Sequence, residues 1–265
     1  MKKIIIISIA SMAGLLTNVL PSQTTKTKVI AHRGYWWNNE SSTENSITAL
    51  RKAQELKIYG SEFDVWMTSD GVLVINHDDK IAGMRIEDTP YAQLKDIRLA
   101  NGETLPTLEA YLKQGKKDKK TQLILELKPH STKEKEDKAA AAVVKMVKKT
   151  GVKKQTEYIS FSLNICKEFV RLSPKAEVAY LNGDLAPHEL KALNITGIDY
   201  PISVLRKNNY WIKEAQELNM KVNVWTVDDE AGMKEMIEAG VDYITTNRPL
   251  LCMGLIKPQA TLPNT

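Results

Sequence analysis

Histidine is scarce in this chain, four in 265 residues, and two of them, His32 and His77, stand beside charged residues where a β-type run ends. A histidine titrates near neutrality, so a pair facing one bond can take a proton from a nucleophile and give one to a leaving group. Carboxylates supply the second theme. Glu62 and Asp64 are separated by one residue in a β-type run and therefore share a face of the strand. Glu126 closes the apolar run Leu123-Ile124-Leu125, and an acidic residue so placed needs a partner or a metal ion. Oxygen donors on one face suit a hard cation such as Ca2+ or Mg2+. Arg33 and Lys128 add fixed positive charge where an anion would sit, and the planar fork of Arg suits a phosphate. Taken singly, each carboxylate reads as half of a salt bridge, Glu126 with Lys128 or Glu62 with a surface lysine. Their convergence at strand ends is what favours chemistry. Of the other histidines, His130 after Lys128-Pro129 reads as structural or as lining a rim, and His188 in a helical pattern reads as structural.

Asp70-Gly71 lies between two β-type runs, the signature of a hairpin with a two-residue primed turn. That turn sets Ser69 opposite Val72, Asp64 opposite His77 and Glu62 opposite Asp79. Two carboxylates and a histidine then meet on one face, and a slip of one residue would undo the pairing.

The elements that must carry these residues alternate along the chain. Strand runs are marked by Val29, Glu62, Leu123, Tyr158, Val178, Ile198, Val222 and Tyr243, each followed by a helical pattern. Among those patterns are Thr43 to Leu56, Lys133 to Lys149, Leu163 to Leu172 and Arg206 to Leu218, with Asp229 capping a helix that Gly240 stops. Strands separated by helices make parallel βαβ units, and this number of them in this length predicts an α/β fold, a (β/α)8 TIM barrel. A small insertion of hairpin, loop and helix, about 68–105, follows the second strand. Active sites of such barrels lie at the C-terminal strand ends. Here those ends read His32-Arg33-Gly34, Glu62-Phe63-Asp64, Glu126-Leu127-Lys128, Ser160-Phe161-Ser162, Trp225-Thr226 and Thr245-Thr246-Asn247, too polar for ends with no function.

Composition limits the alternatives. The chain is 43% hydrophobic and 26% charged with a net charge of +5, a spread excess that does not suggest a nucleic-acid partner. Lys2 and Lys3 precede the mainly apolar stretch Ile4 to Leu20, and Pro21-Ser22 opens a polar segment. That is the plan of a secretory signal peptide, residues 1–22, ahead of one domain, 23–265. The expected product is an exported, periplasmic or secreted protein with no stable membrane insertion after cleavage. Cys166 and Cys252 follow different strands and read as small buried hydrophobes rather than a disulfide. The tail from Lys257 to Thr265 has two prolines and no pattern.

In order along the chain stand His32-Arg33-Gly34, Glu44-Asn45, Glu62-x-Asp64, His77-Asp78, Glu126-x-Lys128, Trp225-Thr226-Val227 and Thr246-x-x-Pro249. This series resembles the glycerophosphodiester phosphodiesterase family, within the phospholipase C-like phosphodiesterase superfamily, from about Val29 to Leu250. The resemblance implies a TIM barrel with an insertion after its second strand and a small-molecule glycerophosphodiester as substrate. It implies His32 and His77 as the acid/base pair, and Glu62, Asp64 and Glu126 as ligands of one divalent cation, Ca2+ or Mg2+. Arg33 and Lys128 would bind the phosphate, Trp225 would wall the pocket, and Glu44 and Asn45 would shape the site. The sequence departs from the family pattern in two places. Thr43 and Ser46 flank the Glu-Asn pair where Pro and Thr are usual, and Asp79 to Arg85 replaces a Thr-Leu then Arg-Thr-Thr run.

The expected reaction is metal-dependent hydrolysis to sn-glycerol 3-phosphate and an alcohol. A phospholipase D-like or lyase activity on lysophospholipids, ending at a cyclic phosphate, is the alternative. An apolar rim would favour it, and the insertion offers only Ile81, Met84, Ile86 and Tyr91. A non-catalytic glycerophosphodiester-binding protein would not need the histidines and carboxylates that are present.

Overall fold

The computed structural model describes residues 27–37 and 41–256. The expected signal segment and the patternless tail lie outside the described residues. The chain opens with β1 (Lys28–Ala31), α1 (Ile47–Glu55) and β2 (Gly60–Met67). The insertion follows, holding β3 (Leu73–Ile75), β4 (Lys80–Ile81), β5 (Met84–Arg85) and α2 (Tyr91–Leu94). Next come α3 (Leu108–Gly115), β6 (Gln122–Leu127), α4 (Lys133–Thr150), β7 (Thr156–Ser160), α5 (Leu163–Leu172), β8 (Val178–Tyr180) and α6 (Pro187–Ala192). The chain continues through β9 (Gly197–Pro201), α7 (Ile202–Lys207), α8 (Tyr210–Glu217), β10 (Lys221–Trp225), α9 (Glu230–Glu238), β11 (Tyr243–Thr246) and α10 (Pro249–Ile256).

Strands pair in the order β1-β11-β10-β9-β8-β7-β6-β2, and a β1–β2 pairing closes the ring. All of these pairings are parallel. The (β/α)8 TIM barrel expected from the strand count is the fold. Alternation along each strand divides its side chains. Val29, Ala31, Phe63, Val65, Leu123 and Leu125 face outward into a large core shared with the helices. Ile30, Ile124, Ile159, Leu181 and Tyr243 fill the barrel interior. The insertion packs Val74, Ile86, Leu94 and Leu105 around Trp66 of β2, so it is anchored to the barrel through an apolar centre of its own.

Helix starts follow their caps. Side chains of Ser46, Thr107, Thr132, Ser162 and Asp229 each accept a backbone N–H in the first turn, which satisfies an otherwise orphaned donor. The first helix begins at Ile47 rather than Thr43 because Asn45 has φ +57°, a left-handed conformation that a helix cannot include. The run from Arg206 to Leu218 is broken. Asn208 leaves the helical region and directs its side-chain Nδ2 to Val204 O at 3.2 Å, and α7 and α8 lie on either side of it. Asparagine competes with helical backbone pairing in this way.

The hairpin register differs from the two-residue turn. The pairs are Val65↔Ile75, Trp66↔Val74 and Met67↔Leu73, and Asn76 N donates to Asp64 O at 3.1 Å. Asp64 therefore faces Asn76, not His77, and Glu62 does not face Asp79. The cause is Thr68. Its Oγ1 accepts Val72 N at 2.9 Å, its N donates to Val72 O and its O accepts Gly71 N. Ser69-Asp70-Gly71 thus forms a three-residue loop, with Gly71 supplying φ +86°, a standard hairpin alternative.

Gly34 is a tight point beside the site. Its φ is +82°, and a Cβ there would lie 2.6 Å from Ala49 Cβ and 2.8 Å from the Ala49 carbonyl carbon. Gly34→Ala combines left-handed strain with a clash against α1 backbone, and should cost about 3 kcal/mol of stability, read by chemical denaturation. Cys166 and Cys252 are both free and buried, in keeping with their reading as small hydrophobes.

Candidate active site

The C-terminal ends of β1, β2, β6, β10 and β11, with the β3 exit, converge on one cleft. It is lined by His32, Arg33, Glu62, His77, Glu126 and Lys128 on one side and by Phe161, Leu181, Asp199, Trp225 and Thr245 on the other. β2 and β6 run in the register Asp64↔Glu126, which brings these two carboxyl groups side by side. Glu62 stands one inward position lower on β2. Glu62, Asp64 and Glu126 each offer an oxygen within 4.8 Å of the others, and all three are buried.

Such a cluster is electrostatically expensive, and its neighbours show how the cost is met. Lys128 Nζ lies 2.8 Å from Asp64 Oδ1 and 2.8 Å from Glu126 Oε1. Arg33 N donates to Glu62 Oε2 at 2.8 Å. Asn45 holds Asp64 from two sides, Nδ2 donating to Oδ2 at 2.8 Å and Oδ1 accepting the Asp64 N–H at 3.1 Å. Burial alone would raise Asp64, but the Lys128 ammonium and then His77 hold it below its ordinary value. Burial first, and then the charges of Asp64 and Glu126, push Glu62 well above the usual carboxylate range. Burial and Asp64 push Glu126 up to about 8. Two of the three acids thus lack the positive charge needed to ionise freely. The Glu62 Oε1 atom is buried with no hydrogen-bond partner. An all-oxygen donor set that needs added positive charge to ionise fully, with one orphaned oxygen, fits a hard divalent cation.

Both histidines reach this cleft. His32 Nδ1 donates to Asn247 Oδ1 at 2.9 Å, which leaves Nε2 as the acceptor. Burial, and then Arg33, hold His32 below the ordinary histidine range, so the ring is neutral near pH 7. His77 Nδ1 donates to Asp78 Oδ1 at 2.7 Å. His77 reaches the cleft although the register differs from that expected, because β3 ends at Ile75 and the chain there is released from the sheet. Arg33, at φ +56°, extends Nη1 to Glu44 Oε2 at 2.8 Å and Nε to within 3.7 Å of Asp64 Oδ2. Trp225 donates Nε1 to Asp199 O at 2.8 Å and meets Phe161 edge-on at 5.5 Å between centroids. Every residue singled out in the sequence for this site lies at this end of the barrel.

His130 does not join them. Its Nε2 accepts the Met67 N–H at 3.2 Å and its Nδ1 donates to Lys128 O at 2.8 Å, so both nitrogens are committed to fixing the β6 exit. His188 donates to Glu214 Oε1 at the surface.

Two acidic residues at this end of the barrel were not singled out. Asp228 Oδ1 accepts Asn247 N at 2.7 Å and Thr246 Oγ1 at 2.9 Å, and its Oδ2 accepts Asn247 Nδ2 at 2.7 Å. The Asn247 amide is thereby turned so that its oxygen meets His32. The adjacent Asp228-Asp229 pair was the available signal, since one aspartate suffices to cap α9. Asp199, on the cleft floor, was also missed. Burial pushes it up to about 7 against the opposing effect of Asn223.

The model of the glycerophosphoryl diester phosphodiesterase family matches residues 32–251. A glycerophosphodiester phosphodiesterase from Parabacteroides distasonis, solved by crystallography, is similar with a TM-score of 0.87 and 52% sequence identity, covering 88% of this chain and 98% of that one. A phosphodiesterase from Oleispira antarctica, solved in complex with the product sn-glycerol-3-phosphate, gives a TM-score of 0.76 at 24% identity over 86% of this chain and 96% of that one. Among curated proteins, a glycerophosphodiester phosphodiesterase of Caldanaerobacter subterraneus is 26% identical over 247 residues, 88% of this chain and 98% of its own length.

Proposed function

Because the chain belongs to the glycerophosphoryl diester phosphodiesterase family and is a glycerophosphodiester phosphodiesterase, we propose that it hydrolyses glycerophosphodiesters to sn-glycerol 3-phosphate and an alcohol by two-histidine chemistry beside one divalent cation. The observation that carries this reading is the single cleft holding Glu62, Glu126, His32, His77, Arg33 and Lys128. Glu62, Asp64 and Glu126 would hold the cation, Ca2+ or Mg2+. When bound, it supplies charge neutralisation at a phosphoryl oxygen.

The remaining roles belong to the chain's own groups. His32, neutral and with Nε2 open, takes the proton of the nucleophile. His77, oriented by Asp78, protonates the departing alkoxide. Arg33 and Lys128 neutralise charge that develops on the phosphoryl oxygens, where preorganised donors are worth most. Glu44 aims the Arg33 guanidinium, Asn45 fixes Asp64, and Trp225 with Phe161 walls the cleft. Asp228 acts through Asn247 on His32. Asp228→Ala should lower kcat about tenfold, the effect of one misplaced hydrogen bond, with KM little changed.

Hydrolysis is favoured over a reaction on intact lipids by the insertion. Ile86 is fully buried, and Ile81, Met84 and Tyr91 pack against the insertion's own core, so these four do not build an apolar rim. No helix among the described residues is long and apolar enough to cross a membrane. The sequence of residues 1–22 supports export of one domain, 23–265, to the periplasm or medium, which the mass of the mature protein tests.

The deciding experiment measures glycerol 3-phosphate release from glycerophosphocholine and glycerophosphoethanolamine, with EDTA and then with Ca2+ or Mg2+ restored. Metal-reversible release is expected. Phosphorus NMR showing only a cyclic phosphate would replace this reading with the lyase, and inactivity with every cation would remove it.

A further inference from the structure

Residues 116–120 and 148–154 hold eight lysines and one aspartate, and the fold brings these two runs together at the end of the barrel opposite the cleft. The first run joins α3 to β6, and the second ends α4 and leads towards β7. Lys116 Nζ donates to Thr150 O at 3.0 Å. Gln155 Nε2 lies 2.6 Å from the carbonyl oxygens of Asp118 and Thr121, which ties the start of β7 to the loop before β6. Positive charge that is spread along the sequence is thereby gathered on one surface.

Little within the protein balances it. Asp118 is engaged in its own turn, with Oδ1 accepting Lys120 N at 2.9 Å and Oδ2 accepting Thr121 Oγ1 at 3.0 Å. Among the described residues only Lys149 of the eight has an ion-pair partner, Glu109 at 3.1 Å. All eight lysines are exposed. Helix C-termini favour cations, which accounts for Lys116 at the end of α3 and for Lys148 and Lys149 in the last turn of α4. It does not account for Lys119, Lys120, Lys153 and Lys154, which lie beyond both helices. Like charges held side by side repel and weaken the compact state, so this surface fits an anionic partner.

The neighbouring surface narrows the choice. A groove of about 650 Å³ lies beside the lysines, lined by Ile58 and Met253 and flanked by Lys57 and Lys120. Thr27 lines the same groove, so the apolar stretch Ile4 to Leu20 is joined to the barrel at this end. A partner offering broad negative charge over apolar matter is a bilayer that contains acidic lipids. Each lysine near such a surface is worth about fivefold in affinity.

We infer that this end of the barrel docks reversibly on an anionic lipid surface, without insertion, so that the cleft at the other end faces away from the bilayer. The inference goes beyond the proposed reaction and does not depend on it.

The test sediments the mature protein with vesicles of phosphatidylcholine alone, and with vesicles of phosphatidylcholine and phosphatidylglycerol in equal parts. Binding to the acidic vesicles only, and its loss in concentrated salt, is expected. Lys119→Gln, Lys120→Gln and Lys154→Gln together should weaken that binding about a hundredfold, and the three corresponding Lys→Glu changes should weaken it further. The thermal midpoint should not fall in either variant. Lys167→Gln, Lys191→Gln and Lys207→Gln remove equal charge elsewhere and should weaken binding by less than about fivefold. Equal binding to both kinds of vesicle, binding to neither, or equal losses in the two glutamine triples overturns the inference. So does tighter binding to duplex DNA than to acidic vesicles, which would make the partner a soluble polyanion.

Discussion

His32→Ala should lower kcat by about 10²–10⁴-fold, the usual contribution of a positioned general base. The substitution removes the neutral ring whose Nε2 is left open by the Asn247 contact at 2.9 Å. Cation binding should survive, because none of Glu62, Asp64 and Glu126 hydrogen-bonds to this ring. The pH profile carries a second expectation. Burial and Arg33 hold His32 below the ordinary histidine range, so the acid limb of kcat/KM should lie lower than that of a solvent-exposed imidazole. His77→Ala should produce a loss of similar size on substrates with poor leaving alcohols and a smaller one on a 4-nitrophenyl ester, whose leaving group needs no proton. Normal turnover by both folded alanine variants would remove the histidines from the mechanism.

The second large effect separates two carboxylates that sit on one strand. Asp64 holds its charge with the help of Lys128 at 2.8 Å and Asn45 at 2.8 Å, whereas Glu62 is held well above the carboxylate range by burial and its acidic neighbours. Asp64→Ala leaves the buried Lys128 ammonium with one partner fewer, and should destabilise the fold by about 3–5 kcal/mol, as breaking a buried ion pair does. Glu62→Gln removes repulsion, so without added metal it should be as stable as the natural protein or more so. Both should abolish activity and the rise in thermal midpoint on adding Ca2+ or Mg2+, a rise expected because a ligand of the native state alone stabilises it. Thermal scans with and without cation read both effects. A cation-induced rise that persists in both variants would exclude these carboxylates as the cation site.

The barrel was legible because helix caps and strand runs are local. The strand Gln122–Leu127 and the helix Leu163–Leu172 fall where their residue patterns put them, since each is bounded by its own turn or cap chemistry. The hairpin was misjudged by one residue because the Thr68 hydroxyl competes with the Asp70-Gly71 dipeptide to define the loop, and nothing in the apolar pattern decides between them. His77 still reaches the cleft because its position depends on where β3 ends rather than on its partner. Asn247 was legible as part of a polar strand end, but Asp228 was not singled out, and nothing local pairs the two. The contact of Asn247 with His32 forms only when the barrel closes. Asp199 was hidden for the opposite reason: within Gly197–Pro201 it looks like a single polar interruption in a short strand, and only the inward side of a closed barrel gives it a neighbourhood.

The contact between His32 and Asn247 spans 215 positions of the chain, and it crosses the seam where β1 pairs with β11. Long-range pairings form late because loop closure must precede them. A chain emerging from the ribosome therefore carries His32 from its early residues but cannot orient the imidazole until Asn247 has been made and the last strand has docked. Catalytic competence is thus tied to completion of synthesis. Fragments ending before β11 would carry both histidines and all three acidic residues and should still be inert, so premature release or C-terminal proteolysis would silence the proposed chemistry without touching a reacting group.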